Sequence, residues 1–143
     1  MEVRDTLLDR LLAEGLSMLV IDESGERWRS TSTGVRPLLE LVDRFPAGIP
    51  GATVADRIVG ACAARVFVHL KLGRVLGLQG SESAAAILDA AAIPWQFRDK
   101  VPDIRNRSGD GICPFELLSR EHSSADTLIP AIRARLAALA RKQ

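Results

Sequence analysis

The sequence predicts an α/β protein, a single three-layer α/β/α domain built on a mixed sheet of about five strands. Three observations lead there. Short runs rich in β-branched residues alternate with amphipathic stretches of helical period after one opening hairpin. The chain has 143 residues, enough for one domain that buries roughly two-thirds of its unfolded surface without disulfide or metal staples. An apolar fraction of 47% against 26% charged residues is that of a folded globular chain, so disorder is not expected.

The elements follow in order. Residues 3–13 place Val3, Leu7, Leu8, Leu11 and Leu12 on one helical stripe, and Gly15 ends that helix. Residues 17–22 form a short strand, Glu23 to Glu26 a hairpin turn, and residues 27–31 the returning half-exposed strand. A second helix spans 34–45, with Pro37 tolerated in its first turn. After the Pro- and Gly-rich loop 45–51, a short strand at 52–55 leads into a long helix at 57–72. Its apolar residues nearly encircle it, which makes it the most buried helix. A strand at 74–79, an alanine-rich helix at 81–92 capped by Ser81 and a strand at 95–98 complete the alternation. Two helices close the chain, from Cys113 to about Arg120 and over 125–141, the second with a break expected at Pro130. Strands linked through helices imply a sheet that is parallel in its second half.

Charge and composition narrow the function. Nineteen basic residues oppose eighteen acidic ones for a net charge of +1, with no Tyr and four Phe. Neither a basic groove nor a base-stacking surface is expected, and so no nucleic-acid partner. The basic residues Arg133, Arg135, Arg141 and Lys142 read as a solvated helix face, and Trp28 and Trp95 as core or subunit-contact residues. Residues 54–72 carry Asp56, Arg57, Arg65, His69 and Lys71, too many charges to span a bilayer. No leader-like apolar core is visible at the start, and two cysteines outside any CxxC pair suit a reducing cytoplasm. Cys62 reads as a packed core thiol.

The densest chemistry lies in residues 106–116, a polar loop punctuated by Gly109 and Gly111 that runs into a helix start. Cys113 precedes Pro114, and Glu116 follows three positions on. That is the pattern of an N-cap, a proline at N1 and a carboxylate at N3. The same placement lowers a thiol's pKa and favours a nucleophile or an anion contact. Ser108, Gly109, Asp110 and Gly111 make either a plain turn or a cradle of backbone N–H groups, and Asn106 and Arg107 add an amide and a cation on the approach. Asp56, ahead of the long helix, reads either as its N-cap or as a carboxylate in the crevice where parallel strands end. Arg57 beside it fits an anionic group, and Arg36 lies near the start of its own helix.

Several segments together resemble the DUF1893 family, whose fold is similar to that of cytidine deaminases. They are Gly34 to Leu39, Val54 to Gly60, Val101-Pro102 through Asn106-Arg107, and Cys113 to Glu116, spread over residues 17–118, with flanking helices at 3–14 and 125–141. The resemblance implies a cytidine deaminase-like fold and a lysine at the position of Arg57, where this chain departs. It also implies where zinc ligands would stand, at the starts of two helices. The first reads Ala55-Asp56-Arg57 and the second Gly80-Ser81-Glu82-Ser83, with neither His nor Cys. The resemblance and the loop together point to a zinc-free domain with no cofactor, binding a nucleotide or nucleoside-like small molecule. The expected ligand contacts are Arg36, Asp56, Arg57, Asn106, Arg107, Asp110, Cys113 and Glu116, and a homodimer is expected. Two alternatives stay open. One is an enzyme with Cys113 as nucleophile and Asp56 or Glu116 as proton-transfer partner; the other is a structural, self-associating subunit.

Overall fold

The computed structural model describes residues 3–141, with side chains from residue 6 onward. Val3 of the first expected stripe and Lys142 of the basic tail lie outside the described side chains. Helix α1 (Val3–Ala13) leads into the hairpin of β1 (Met18–Asp22) and β2 (Gly25–Ser30), followed by α2 (Arg36–Arg44). Strand β3 (Thr53–Val59), α3 (Ala61–His69), β4 (Arg74–Ser81), α4 (Glu82–Ala90) and β5 (Trp95–Val101) form the alternating half. Helices α5 (Pro114–Ser119) and α6 (Ala125–Arg141) finish the chain.

The five strands make one mixed sheet in the order β2-β1-β3-β4-β5, antiparallel at β1–β2 and β1–β3, parallel at β3–β4 and β4–β5. The α/β class, the strand number and the parallel second half are therefore as the alternation predicts. Successive strand residues divide between two apolar clusters, because side chains alternate across a pleated sheet. Met18, Val20, Val54 and Val75 join the larger cluster with residues of α2, α3, α4 and α6. Leu19, Ala55 and Leu76 join the smaller one, which is covered by Leu7, Leu8 and Leu11 of α1.

The main departure from expectation lies between residues 56 and 60. Strand β3 does not stop at Ala55; it continues to Val59, and α3 begins only at Ala61. Ile58 and Val59 pair with Gln79 and Gly80 of β4, and β-branched side chains at those positions favour the pleated backbone over a helix. Asp56 and Arg57 are thus strand residues and not a helix start. Strands β4 and β5 likewise run further than expected, to Ser81 and Val101. The long helix is shorter than predicted, but six of its nine residues are buried.

Two helix ends share one device. Lys71 (φ 64°) and Ala92 (φ 58°) adopt left-handed backbone conformations after α3 and α4. Lys71 N–H donates to Val68 O at 3.0 Å and Leu72 N–H to Phe67 O at 3.2 Å. Ala92 N–H donates to Asp89 O at 3.0 Å and Ile93 N–H to Leu88 O at 2.9 Å. These are Schellman closures, with an L-residue where glycine is easiest. Ser81 caps α4 as predicted, its Oγ accepting the Ala84 N–H at 3.1 Å. Pro130 lies inside α6 without breaking it.

Candidate functional site

The carboxyl ends of β3, β4 and β5 lead straight into helix starts or loops, and one of those starts is served from far along the chain. Gly60, the N-cap of α3, has no side chain to accept the first helical N–H groups. Glu116 supplies the acceptor: Ala61 N–H donates to Oε1 at 2.6 Å and Cys62 N–H to Oε2 at 3.0 Å. A β-carbon on Gly60 would fall within 3.0 Å of both carboxylate oxygens, so only glycine leaves room for this contact. Glu116 is buried, and burial holds its carboxyl above the usual glutamate range; the Cys62 and Ala61 N–H groups and Arg120 pull it back, while Asp103 adds to the rise.

Local sequence explains how Glu116 gets there. Cys113 occupies the N-cap of α5, followed by Pro114 in the first turn, as predicted. Cys113 N–H donates to Ile104 O at 2.9 Å, and an antiparallel bridge joins Arg105 to Ile112, so α5 starts from a closed loop. Glu116 N–H donates to Cys113 O at 2.9 Å, which ties the carboxylate and the thiol-bearing residue to one turn. The Cys113 side chain makes no capping bond and remains half-buried. Cys62 is buried, and its thiol is pushed up first by burial and then by the nearby Glu116 and Cys113. It is the core thiol expected, though it also lies beside the α5 start.

The loop ahead of Cys113 is closed on itself. Asn106 Nδ2 donates to Asp110 Oδ1 at 3.2 Å, and Ser108 Oγ donates to the same oxygen at 2.7 Å and to Asn106 Oδ1 at 3.2 Å. Asn106 N–H donates to Gly111 O at 3.0 Å. The Ser108 and Asn106 bonds hold the Asp110 carboxyl below the usual aspartate range. Asn106 and Asp110 therefore shape this loop, and Arg107 stands exposed on it.

Asp56 and Arg57 are not part of this cluster. Asp56 is buried on β3 opposite Met18, the last β1 residue paired with β3. Beyond that point its carboxylate takes the Ile58 and Arg57 N–H groups, and burial outweighs those bonds to raise its pKa to about 7. Asp56 thus finishes a strand edge instead of capping a helix. Among the described residues no hydrogen bond or charge interaction joins it to Cys113 or Glu116. Arg57 donates from Nε to Leu16 O at 2.6 Å, and Arg36 is exposed at the first residue of α2. The expected meeting of Asp56 and Arg57 with residues 106–116 is replaced by a meeting of Gly60, Ala61 and Cys62 with Cys113 and Glu116.

Gly60, expected within the long helix, is instead its N-cap, and its lack of a side chain admits Glu116. A second close approach was not foreseen. Phe97 covers Gly80, where a β-carbon would fall within 3.0 Å of three ring carbons.

The donor set does not fit zinc. The corrected helix starts read Gly60-Ala61-Cys62 and Ser81-Glu82-Ser83, and no group of three His, Cys, Asp or Glu side chains that could hold a metal occurs among the described residues. No helix of the described residues is long and apolar enough to cross a membrane.

A mixed five-stranded sheet flanked by helices makes the chain an α/β domain. The model of one family, a domain of unknown function (DUF1893), matches residues 7–136, and the chain belongs to it. The fold is similar to the crystal structure of a DUF1893 family protein from Thermotoga maritima, with a TM-score of 0.83 and 23% identity over 94% of this chain and 92% of that one. No curated protein matches the chain.

Proposed function

We propose that this chain is a zinc-free binding domain of three layers and cytidine deaminase-like fold, whose ligand is a small nucleotide or nucleoside-like molecule. The observation that carries the reading is the docking of the Cys113–Glu116 turn onto the start of α3, at the carboxyl end of a parallel strand. Open α/β sheets bind ligands outside those strand ends. Glu116 already fills the N–H groups of α3, so the ligand's anionic part is assigned to Arg107 and the loop amides, with the half-buried Cys113 beside it. The kinship in fold is analogy and carries less weight than this geometry.

The test is titration of the full chain with adenosine and with its 5′-monophosphate, followed by amide NMR. Saturable shifts at Arg107, Cys113 and Cys62 are expected, and they should persist in Cys113→Ser. No saturable shift with either probe would overturn the reading. The second reading, an enzyme with Cys113 as nucleophile, is favoured by the exposure of that thiol relative to Cys62. It requires an adduct on Cys113 that survives denaturation in the mass spectrum.

A further inference from the structure

Toward the other end of α3, away from Glu116, two adjoining cavities of about 210 and 380 Å³ share Arg65, Val68 and Ile87. The larger is floored by apolar side chains of α3 and α4, including Ala90 and Ala91. The smaller ends at the start of α6, where Ser123 to Asp126 line it. We propose that this continuous groove binds a small amphipathic carboxylate, its head on Arg65 and its apolar body along α4.

The head is assigned by the guanidinium. Arg65 Nη1 donates to Ser123 O at 2.9 Å, which fixes the side chain against α6. Its Nε is the one buried side-chain nitrogen or oxygen without a hydrogen-bond partner among the described residues. A buried donor of this kind calls for an acceptor. Nε and Nη2 make the second edge of the guanidinium, two parallel donors that match the two oxygens of a carboxylate. Arg65 lines both cavities, so its guanidinium is the donor group they offer to a ligand.

The charge is set by the neighbours. Asp126 also lines the smaller cavity; its side chain is 83% exposed, its Oδ1 lies 3.9 Å from His69 Nδ1, and among the described residues no ion pair joins it to Arg65. One guanidinium without a carboxylate partner, in a cavity that Asp126 also lines, suits a monoanion better than a phosphate dianion. The body is assigned by the floor. Val68 and Ile87 are half-buried and Ala90 and Ala91 exposed, and a short alkyl or aromatic group laid on them removes apolar surface from water.

The experiment is amide NMR of the full chain titrated with octanoate, octanol and inorganic phosphate. Octanoate should give saturable shifts at Val68, Ile87, Ala125 and Asp126, at least about tenfold tighter than octanol. Arg65→Met should abolish that preference, and Ala90→Glu, an exposed change on the floor, should weaken octanoate while leaving the melt unchanged. Equal binding of octanol would remove the role of the guanidinium and overturn the proposal. Phosphate shifting the same amides equally would remove the amphipathic ligand, and octanoate shifts confined to Ala61, Cys62 and Arg107 would move the ligand to the α5 site. Either result overturns this inference without touching the nucleotide reading.

Discussion

Glu116 and Gly60 occupy complementary spaces: the carboxylate fills the position that any β-carbon at residue 60 would need. The helix start at Ala61 is therefore specified by two residues at once, an acceptor and an absence of side chain. The pair should behave as a unit. Gly60→Ala and Glu116→Ala are each expected to cost about 1–3 kcal/mol in chemical denaturation. The double variant should cost little more than the worse single one, because both remove the same contact. Additive losses would show that the two residues act separately.

Asp56 gives the fold an unusual pH response. Its carboxyl titrates near 3.8 when unfolded and at about 7 when folded, so the folded chain holds the extra proton between those values. The contribution to stability is fully present below the unfolded pKa, declines as pH rises, and is gone above the folded one, a change of a few kcal/mol. Buried Glu116 acts in the same direction. Denaturation midpoints at about pH 5 and about pH 8 should thus favour the acid side, and Asp56→Asn should flatten the slope. An unchanged slope in that variant would assign the titration elsewhere.

The two cysteines should separate cleanly toward an alkylating reagent. Cys62 is buried with its thiol held protonated, whereas Cys113 is half-buried at a helix start. Native-state labelling followed by peptide mass spectrometry should modify Cys113 and leave Cys62 untouched. Cys113→Ser should melt at the same temperature or higher, since Cys113 contributes no capping bond that serine would lose.

Helices α3 and α4 offer a route to stabilisation. Lys71 and Ala92 pay for a left-handed conformation that glycine adopts freely. Lys71→Gly and Ala92→Gly should each raise stability by about 0.5–1 kcal/mol, read as a shift in denaturation midpoint at constant slope. A loss in either would mean that the side chain, and not the backbone, decides at that position.

A further variant tests the sheet surface beneath β5. Phe97 covers Gly80 and stacks on Trp95 with ring centroids 4.6 Å apart. Gly80→Ala must push that ring aside, so it should change the tryptophan emission along with a loss of about 1–3 kcal/mol. Unchanged emission would show that the ring stays in place.

Much of this fold was legible because local pattern and tertiary context agree. The hairpin at Asp22–Gly25, the Ser81 cap and the Cys113-Pro114-x-Glu116 helix start are each decided by a few adjacent residues. The β3–α3 boundary was not legible, since Asp56 to Val59 become strand by pairing with Gly77, Gln79 and Gly80 of β4. The meeting of Glu116 with the start of α3 was hidden for a related reason. Glu116 was visible as an acid at the third position of α5, but its partner is the start of another helix, and no local spacing encodes that meeting. Asp56 looked like a cap, and it is one, for a strand edge instead of a helix.

The Glu116 contact also sets an order of events during synthesis. Its partner Ala61 lies 55 positions earlier in the chain. While the ribosome is still making β4, α4 and β5, the start of α3 has no acceptor for its first N–H groups. Any assembly of the parallel core before residue 116 emerges therefore leaves that helix end open, and residues 113–116 complete it. Hydrogen exchange on chains stalled just before and just after residue 116 emerges should show the amides of Ala61 and Cys62 passing from open to protected.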